Sequence, residues 1–113
     1  MHTTSKLIIG GAAIALLLAA TAASADREVD GEKAYRENCA SCHDHRIEGA
    51  PKTGAVADWE GRSWNWEAVQ LEHAKAGYLA MPARGGNAAL SDYDTGAAVE
   101  YMLNLTFPDL PRD

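Results

Sequence analysis

The chain has 113 residues, with 16 acids against 10 lysines and arginines and a formal net charge of −6. That length allows one small domain with a modest core. The acidic balance argues against a phosphate-backbone ligand, so no nucleic acid is expected, and is compatible with basic protein partners.

The chain opens with a leader. His2 and Lys6 precede an uncharged stretch from Leu7 to Ala25, apolar from Leu7 to Ala20 and closed by Ala23-Ser24-Ala25 before the charged Asp26-Arg27-Glu28. These are the charged, apolar and small-residue regions of an export signal, which predicts cleavage after Ala25, a periplasmic destination and a domain over 26–113. An uncleaved membrane anchor is the alternative, although Thr21 to Ala25 is weakly apolar. No cysteine stands at the new N-terminus to carry a lipid, so no stable membrane anchor is expected after cleavage.

Asp30 reads as the N-cap of a first helix running from about Gly31 towards Cys39, with Gly31, Tyr35 and Cys39 on one face. Cys39-Ala40-Ser41-Cys42-His43 follows and contains both cysteines of the chain. It is a CxxCH run, the pattern of covalent c-type haem attachment. Two thiols one helical turn apart can each add to a haem vinyl group, and the adjacent imidazole is then directed at the iron. Two thioethers also explain why a cysteine pair in an exported chain forms no disulfide. A redox dithiol would need a βαβ setting and a reactive exposed cysteine. A zinc site would need Cys39, Cys42, His43 and either His45 or His73 to converge, which is awkward for neighbouring residues on a helix.

From Asp44 to Ser63 the composition predicts a loop, with at most a helical turn near Ala55 to Trp59. His45 reads as a solvated loop histidine. Pro51 holds Ala50 extended and stiffens the segment. Trp59 and Arg62 carry the donors that a buried haem carboxylate requires, although packing and solvation are their ordinary roles. Asn65 could cap a helix over Trp66 to Ala76 that stops at Gly77, with His73 partly buried on it. Gly77 to Asn87 is too rich in Gly and Pro for a regular element, and Pro82 projects Met81 from an extended loop. Met1 belongs to the leader and Met102 to a helical stripe. Ser91, with Asp94 three residues on, caps a last helix to about Asn104, and 106–113 reads as a loose tail.

With CxxCH, Met81-Pro82 and the capped terminal helix in hand, the chain resembles class I c-type cytochromes, and most closely the short bacterial cytochrome c-five group. Gly31-xxx-Tyr35-xxx-Cys39 is similar to the family's N-terminal helix, Gly49-Ala50-Pro51-Lys52 to the strap under the haem histidine, and Ala80-Met81-Pro82 before Gly85-Gly86 to the sixth-ligand loop. The resemblance implies an all-α fold of three to four helices around one covalently bound haem c, with Gly31 and Tyr35 crossing the terminal helix near Ala98 and Tyr101. It implies His43 and Met81 as iron ligands, the Pro51 carbonyl as acceptor for His43 Nδ1–H, and Trp59 and Arg62 as donors to a haem propionate. Members of the c-five group often carry a second CxxC after the Gly-Gly; Asn87 and Leu90 stand at those positions here, so that disulfide is absent.

The function expected is a soluble periplasmic monohaem cytochrome that carries one electron between protein redox donors and acceptors, as a monomer or as a subunit of a larger oxidoreductase. Two filled axial positions leave no open site for a substrate, which argues against an enzyme. A haem enzyme or gas sensor with a displaceable sixth ligand is the rival reading.

Overall fold

The computed structural model describes residues 8–62 and 66–109. Five helices are present among them: α1 (Ile8–Asn38), α2 (Ala40–His43), α3 (Val56–Trp59), α4 (Trp66–Ala76) and α5 (Asp92–Thr106). Single 3-10 turns lie at Ile47–Gly49 and Ala83–Gly86, and the one β-type pairing among the described residues is the isolated bridge between Tyr78 and Met81. The expected cap at Asn65, the first residues of the leader and the end of the tail lie outside the described residues.

The first helix begins much earlier than Gly31. No Gly or Pro interrupts the chain between Ala12 and Asp30, and the Ala- and Leu-rich leader has high helix propensity, so α1 runs unbroken through Asp30. Asp30 is therefore not an N-cap; its carboxylate accepts from the Tyr93 hydroxyl on α5 at 2.9 Å. Packing of α1 onto α5 is anchored from Arg27 onward. The Arg27 guanidinium meets Glu100 at 2.6 Å and stacks over the Tyr93 ring at 4.9 Å. Leu16, Leu17, Leu18 and the Ala23–Ala25 stretch before it are exposed. Among the described residues, no helix is long and apolar enough to cross a membrane.

Below Arg27 the two helices cross closely at a glycine. A Cβ on Gly31 would lie 2.3 Å from the carbonyl oxygen of Ala97, so only glycine permits this approach. One turn on, Tyr35 and Tyr101 pack with ring centroids 5.3 Å apart. The implied crossing is thus present, with its tightest point at Ala97.

Ser91 caps α5, its hydroxyl accepting from the Asp94 N–H at 3.0 Å. The helix continues to Thr106, past the expected end at Asn104. Thr106 is buried rather than loose: its hydroxyl donates to the Met102 carbonyl at 2.8 Å and accepts from the Gly54 N–H at 2.9 Å. A threonine that bonds back one turn and also holds a loop amide has reason to stay helical.

The core falls into two clusters. Ala34, Tyr35, Trp59, Ala98 and Met102 form one, with Cys39 and Ala40 packed against it. Ala74, Val99 and Leu103 form the other, with Leu71 and Met81 against it. Phe107 touches both. Neighbouring residues on the same turns of α5 thus serve different clusters, and the clusters differ in which expected site residue packs against them, Cys39 on the first and Met81 on the second.

Candidate haem site

The CxxCH run sits where α1 ends. The Cys39 N–H still bonds to the Tyr35 carbonyl at 2.8 Å, and the Cys42 and His43 N–H groups both turn back to the Cys39 carbonyl, making the short helix α2. Both cysteines are free thiols. Cys39 is largely shielded, and burial, with the neighbouring Cys42 thiol, pushes its pKa up to about 11. That is opposite to the lowered pKa of a reactive redox cysteine. Among the described residues, no three His, Cys, Asp or Glu side chains converge as a metal cluster would require, so the geometry gives the zinc reading no support.

His43 is buried, and its Nδ1 lies 2.8 Å from the Pro51 carbonyl oxygen. A carbonyl only accepts, so Nδ1 carries the proton and Nε2 keeps its lone pair. Burial is the main cause that lowers the His43 pKa, which favours the neutral ring a metal needs. The strap bearing Pro51 is held at both ends. The Thr53 N–H donates to the His43 carbonyl at 2.9 Å, and the phenol of Tyr35 reaches both Asp44 and the Thr53 hydroxyl, the latter at 3.0 Å. Asp44 can only accept, so Tyr35 donates to it and Thr53 donates to the phenol oxygen. Sequence reasoning placed Tyr35 on a packing face and missed this hydroxyl, because nothing in an i, i+4 pattern distinguishes Tyr from Phe.

Trp59 and Arg62 are arranged differently from the expectation that both donate to a haem propionate. Trp59 is buried, lies nearly parallel to His43 with centroids 6.1 Å apart, and gives its indole N–H to the Lys52 carbonyl at 2.9 Å. With one N–H available, it serves the strap. Arg62 is exposed and donates to the backbone carbonyls of Asp58 at 2.5 Å and Gly49 at 3.5 Å. It lines an open cavity of about 480 Å³ together with Arg46, Gly49, Ala50 and Asp58.

Met81 is partly buried against the second cluster. A tight turn presents it, closed by Tyr78 N–H to Met81 carbonyl at 3.0 Å and the reciprocal bond at 2.9 Å. Leu79 at the turn's tip takes a left-handed backbone (φ 52) and is 87% exposed. The competing ligand His73 is stacked on Tyr78, with centroids 3.8 Å apart and planes 8° apart. His45 lies exposed in the loop after α2.

These residues fit a haem. Two free thiols and a buried imidazole with a free Nε2 are the groups that covalent haem attachment and iron ligation require; Cys39 packs against the first apolar cluster, and the Met81 thioether packs against the second.

Comparison with known proteins agrees with that chemistry. The model of a family described as "Cytochrome C oxidase, cbb3-type, subunit III" matches residues 26–102. A cytochrome c-555 of Prosthecochloris aestuarii is 43% identical over 66% of this chain and 84% of its own length. The cytochrome c-555 of Chlorobaculum tepidum is 36% identical over 88% of this chain and 92% of its own. A solved cytochrome c, from a structure titled "Crystal structure of electron transfer complex of nitrite reductase with cytochrome c", is similar with a TM-score of 0.62 and 36% identity, over 68% of this chain and 94% of that one. The chain belongs to the family whose model it matches, as one of the small class I c-type cytochromes, with an all-α fold. Its cofactor is covalently bound haem c, for which Cys39, Cys42 and His43 are the attachment motif.

Proposed function

We propose that this cytochrome is a periplasmic one-electron carrier whose haem iron is held between His43 and Met81. When bound, the haem would supply the one-electron ferric/ferrous chemistry. The protein's part is to fix the ligands and keep solvent away. The observation that carries the reading is the His43 imidazole, buried and oriented by the Pro51 carbonyl with its Nε2 left free; the presentation of the Met81 thioether on a tight turn supports the second ligand. A thioether favours reduced iron and raises the potential, and a filled coordination shell limits rearrangement during electron transfer. Relatives named cytochrome c-555 support the role, as does a similar cytochrome c from a structure titled as an electron transfer complex with nitrite reductase.

The test is at the sixth position. Oxidised wild type should show the weak long-wavelength sulfur-to-iron charge-transfer band. Met81→Ala should lose it, lower the potential and begin to bind external ligands; retention of the band would assign the ligand elsewhere.

Arg62 is assigned to a haem propionate, supported by its place beside the cavity at the strap, whereas Trp59 is assigned to holding the strap. The leader is assigned to export and removal after Ala25, supported by the exposure of 14–25 and by the ion pair to α5 that Arg27, just past the cleavage point, makes with Glu100. An N-terminus other than Asp26 on the purified protein would contradict that. The family description also supports a second reading, a haem subunit of a larger oxidoreductase. Native isolation separates the two, since a free carrier elutes at its own mass.

A further inference from the structure

The loop that presents Met81 is tied to the fold at its far end by contacts unrelated to the Met81 turn. The 3-10 turn Ala83–Gly86 lies directly against the end of α1: a Cβ on Gly85 would stand 2.2 Å from the Asn38 carbonyl oxygen. Beside that contact the two side-chain amides meet, Asn87 Nδ2 donating to Asn38 Oδ1 at 2.9 Å. Asn38 is itself oriented by donating its Nδ2 to the Ala34 carbonyl at 2.9 Å. On the other flank, the Arg84 guanidinium donates to the Leu90 carbonyl at 2.8 Å and pairs with Asp92 at 2.5 Å, which joins the turn to the start of α5. Asn38 immediately precedes Cys39, so the amide pair links the cofactor-attachment end of α1 to the loop that carries Met81.

We propose that the Asn38–Asn87 amide pair, braced by Arg84, is a positioning latch that holds the Met81 loop closed and so sets how readily Met81 leaves the haem iron. The inference rests on the His43/Met81 reading given above. Met81 lies between two fixed points, the Tyr78 turn and the Arg84–Asn87 anchor. For an outside ligand to reach iron, Met81 must withdraw, and the loop can swing only if one anchor lets go. Within the second anchor the amide pair is the weaker of the two ties, because it is a neutral hydrogen bond within reach of water, whereas Arg84 is charged and doubly engaged.

Losing a partly exposed neutral hydrogen bond changes an equilibrium by about three- to five-fold. The apparent affinity of an added ligand scales with the population of the open form. The experiment is imidazole binding to oxidised holoprotein, followed in the visible spectrum, for wild type, Asn38→Ala, Asn87→Ala and the double variant. Arg27→Ala, which breaks an ion pair at the other end of the α1–α5 contact, is the control. Each single variant should bind imidazole about three- to five-fold more tightly, the double no more tightly than the better single, and the control like wild type. Asn38→Ala separates the latch from the local turn, because it leaves the Ala89 N–H bonded to Asn87 Oδ1. Unchanged affinity in both single variants, additive effects in the double, or an equal gain in Arg27→Ala would each overturn the latch. A wild type without the charge-transfer band would overturn the ligation reading and the latch with it; a normal band with unchanged imidazole affinity sinks the latch alone.

Discussion

The His43 Nδ1 and the Pro51 carbonyl oxygen are 2.8 Å apart, a separation that fixes the imidazole's tautomer and plane before any metal is considered. The contact depends on where the strap lies, and the strap is positioned by Thr53, Asp44 and the Tyr35 phenol between them. Burial and the Asp44 carboxylate push the Tyr35 pKa up, so the phenol remains a donor at any working pH.

Tyr35→Phe should therefore keep haem and the α1–α5 packing but lose the bridge across the strap. About 1 kcal/mol of stability should go with it, measured by denaturant unfolding of the oxidised protein. A midpoint equal to wild type would show that water replaces the phenol without cost.

Gly31→Ala places a methyl group against the Ala97 carbonyl and must force α1 and α5 apart. A cost of about 2 kcal/mol is expected even though alanine is the better helix former, because overpacking outweighs propensity here. Thermal unfolding of the holoprotein would reveal it, and an unchanged or raised Tm would mean that the crossing relaxes freely.

Asp58 accepts from Arg46 at 2.6 Å and from the Lys52 N–H at 3.0 Å, and these bonds hold its carboxyl below the usual carboxylate range. A depressed folded pKa stabilises above the unfolded value, near 3.9, and the benefit is lost as pH falls through the folded value. Asp58→Asn should unfold at lower denaturant than wild type at pH 7, and the two should converge in acid. A gap that is constant with pH would point to packing instead.

Arg62→Leu removes a positive charge beside the strap cavity. If Arg62 faces a haem propionate, that carboxyl becomes harder to ionise in the variant, and the pH dependence of the reduction potential moves to higher pH. Identical pH–potential curves for variant and wild type would leave Arg62 as a surface residue.

Much of this arrangement is legible in the sequence because it is local. CxxCH, the Ser91 cap, the helix over Trp66–Ala76 and the turn at Val56–Trp59 are each specified by residues within a few positions of one another. The start of α1 is not, since capping chemistry at Asp30 identifies where a helix can begin but not whether an earlier one is still running. The role of Trp59 is hidden for a different reason: an indole N–H takes whichever acceptor the fold brings near, and here that is the Lys52 carbonyl. The Asn38–Asn87 contact and the burial of Thr106 join segments far apart in the chain, and no periodicity reports such meetings.

Both halves of the core depend on the last helix: Ala98 and Met102 complete one cluster, and Val99 and Leu103 complete the other. As the chain is made from its N-terminus, the cysteines and His43 exist long before α5 does, and neither cluster can close over them in the interval. A chain ending before α5 would lack Ala98 and Met102 on one side and Val99 and Leu103 on the other, so Cys39 and Met81 would each lose the cluster they pack against, although they lie on different segments.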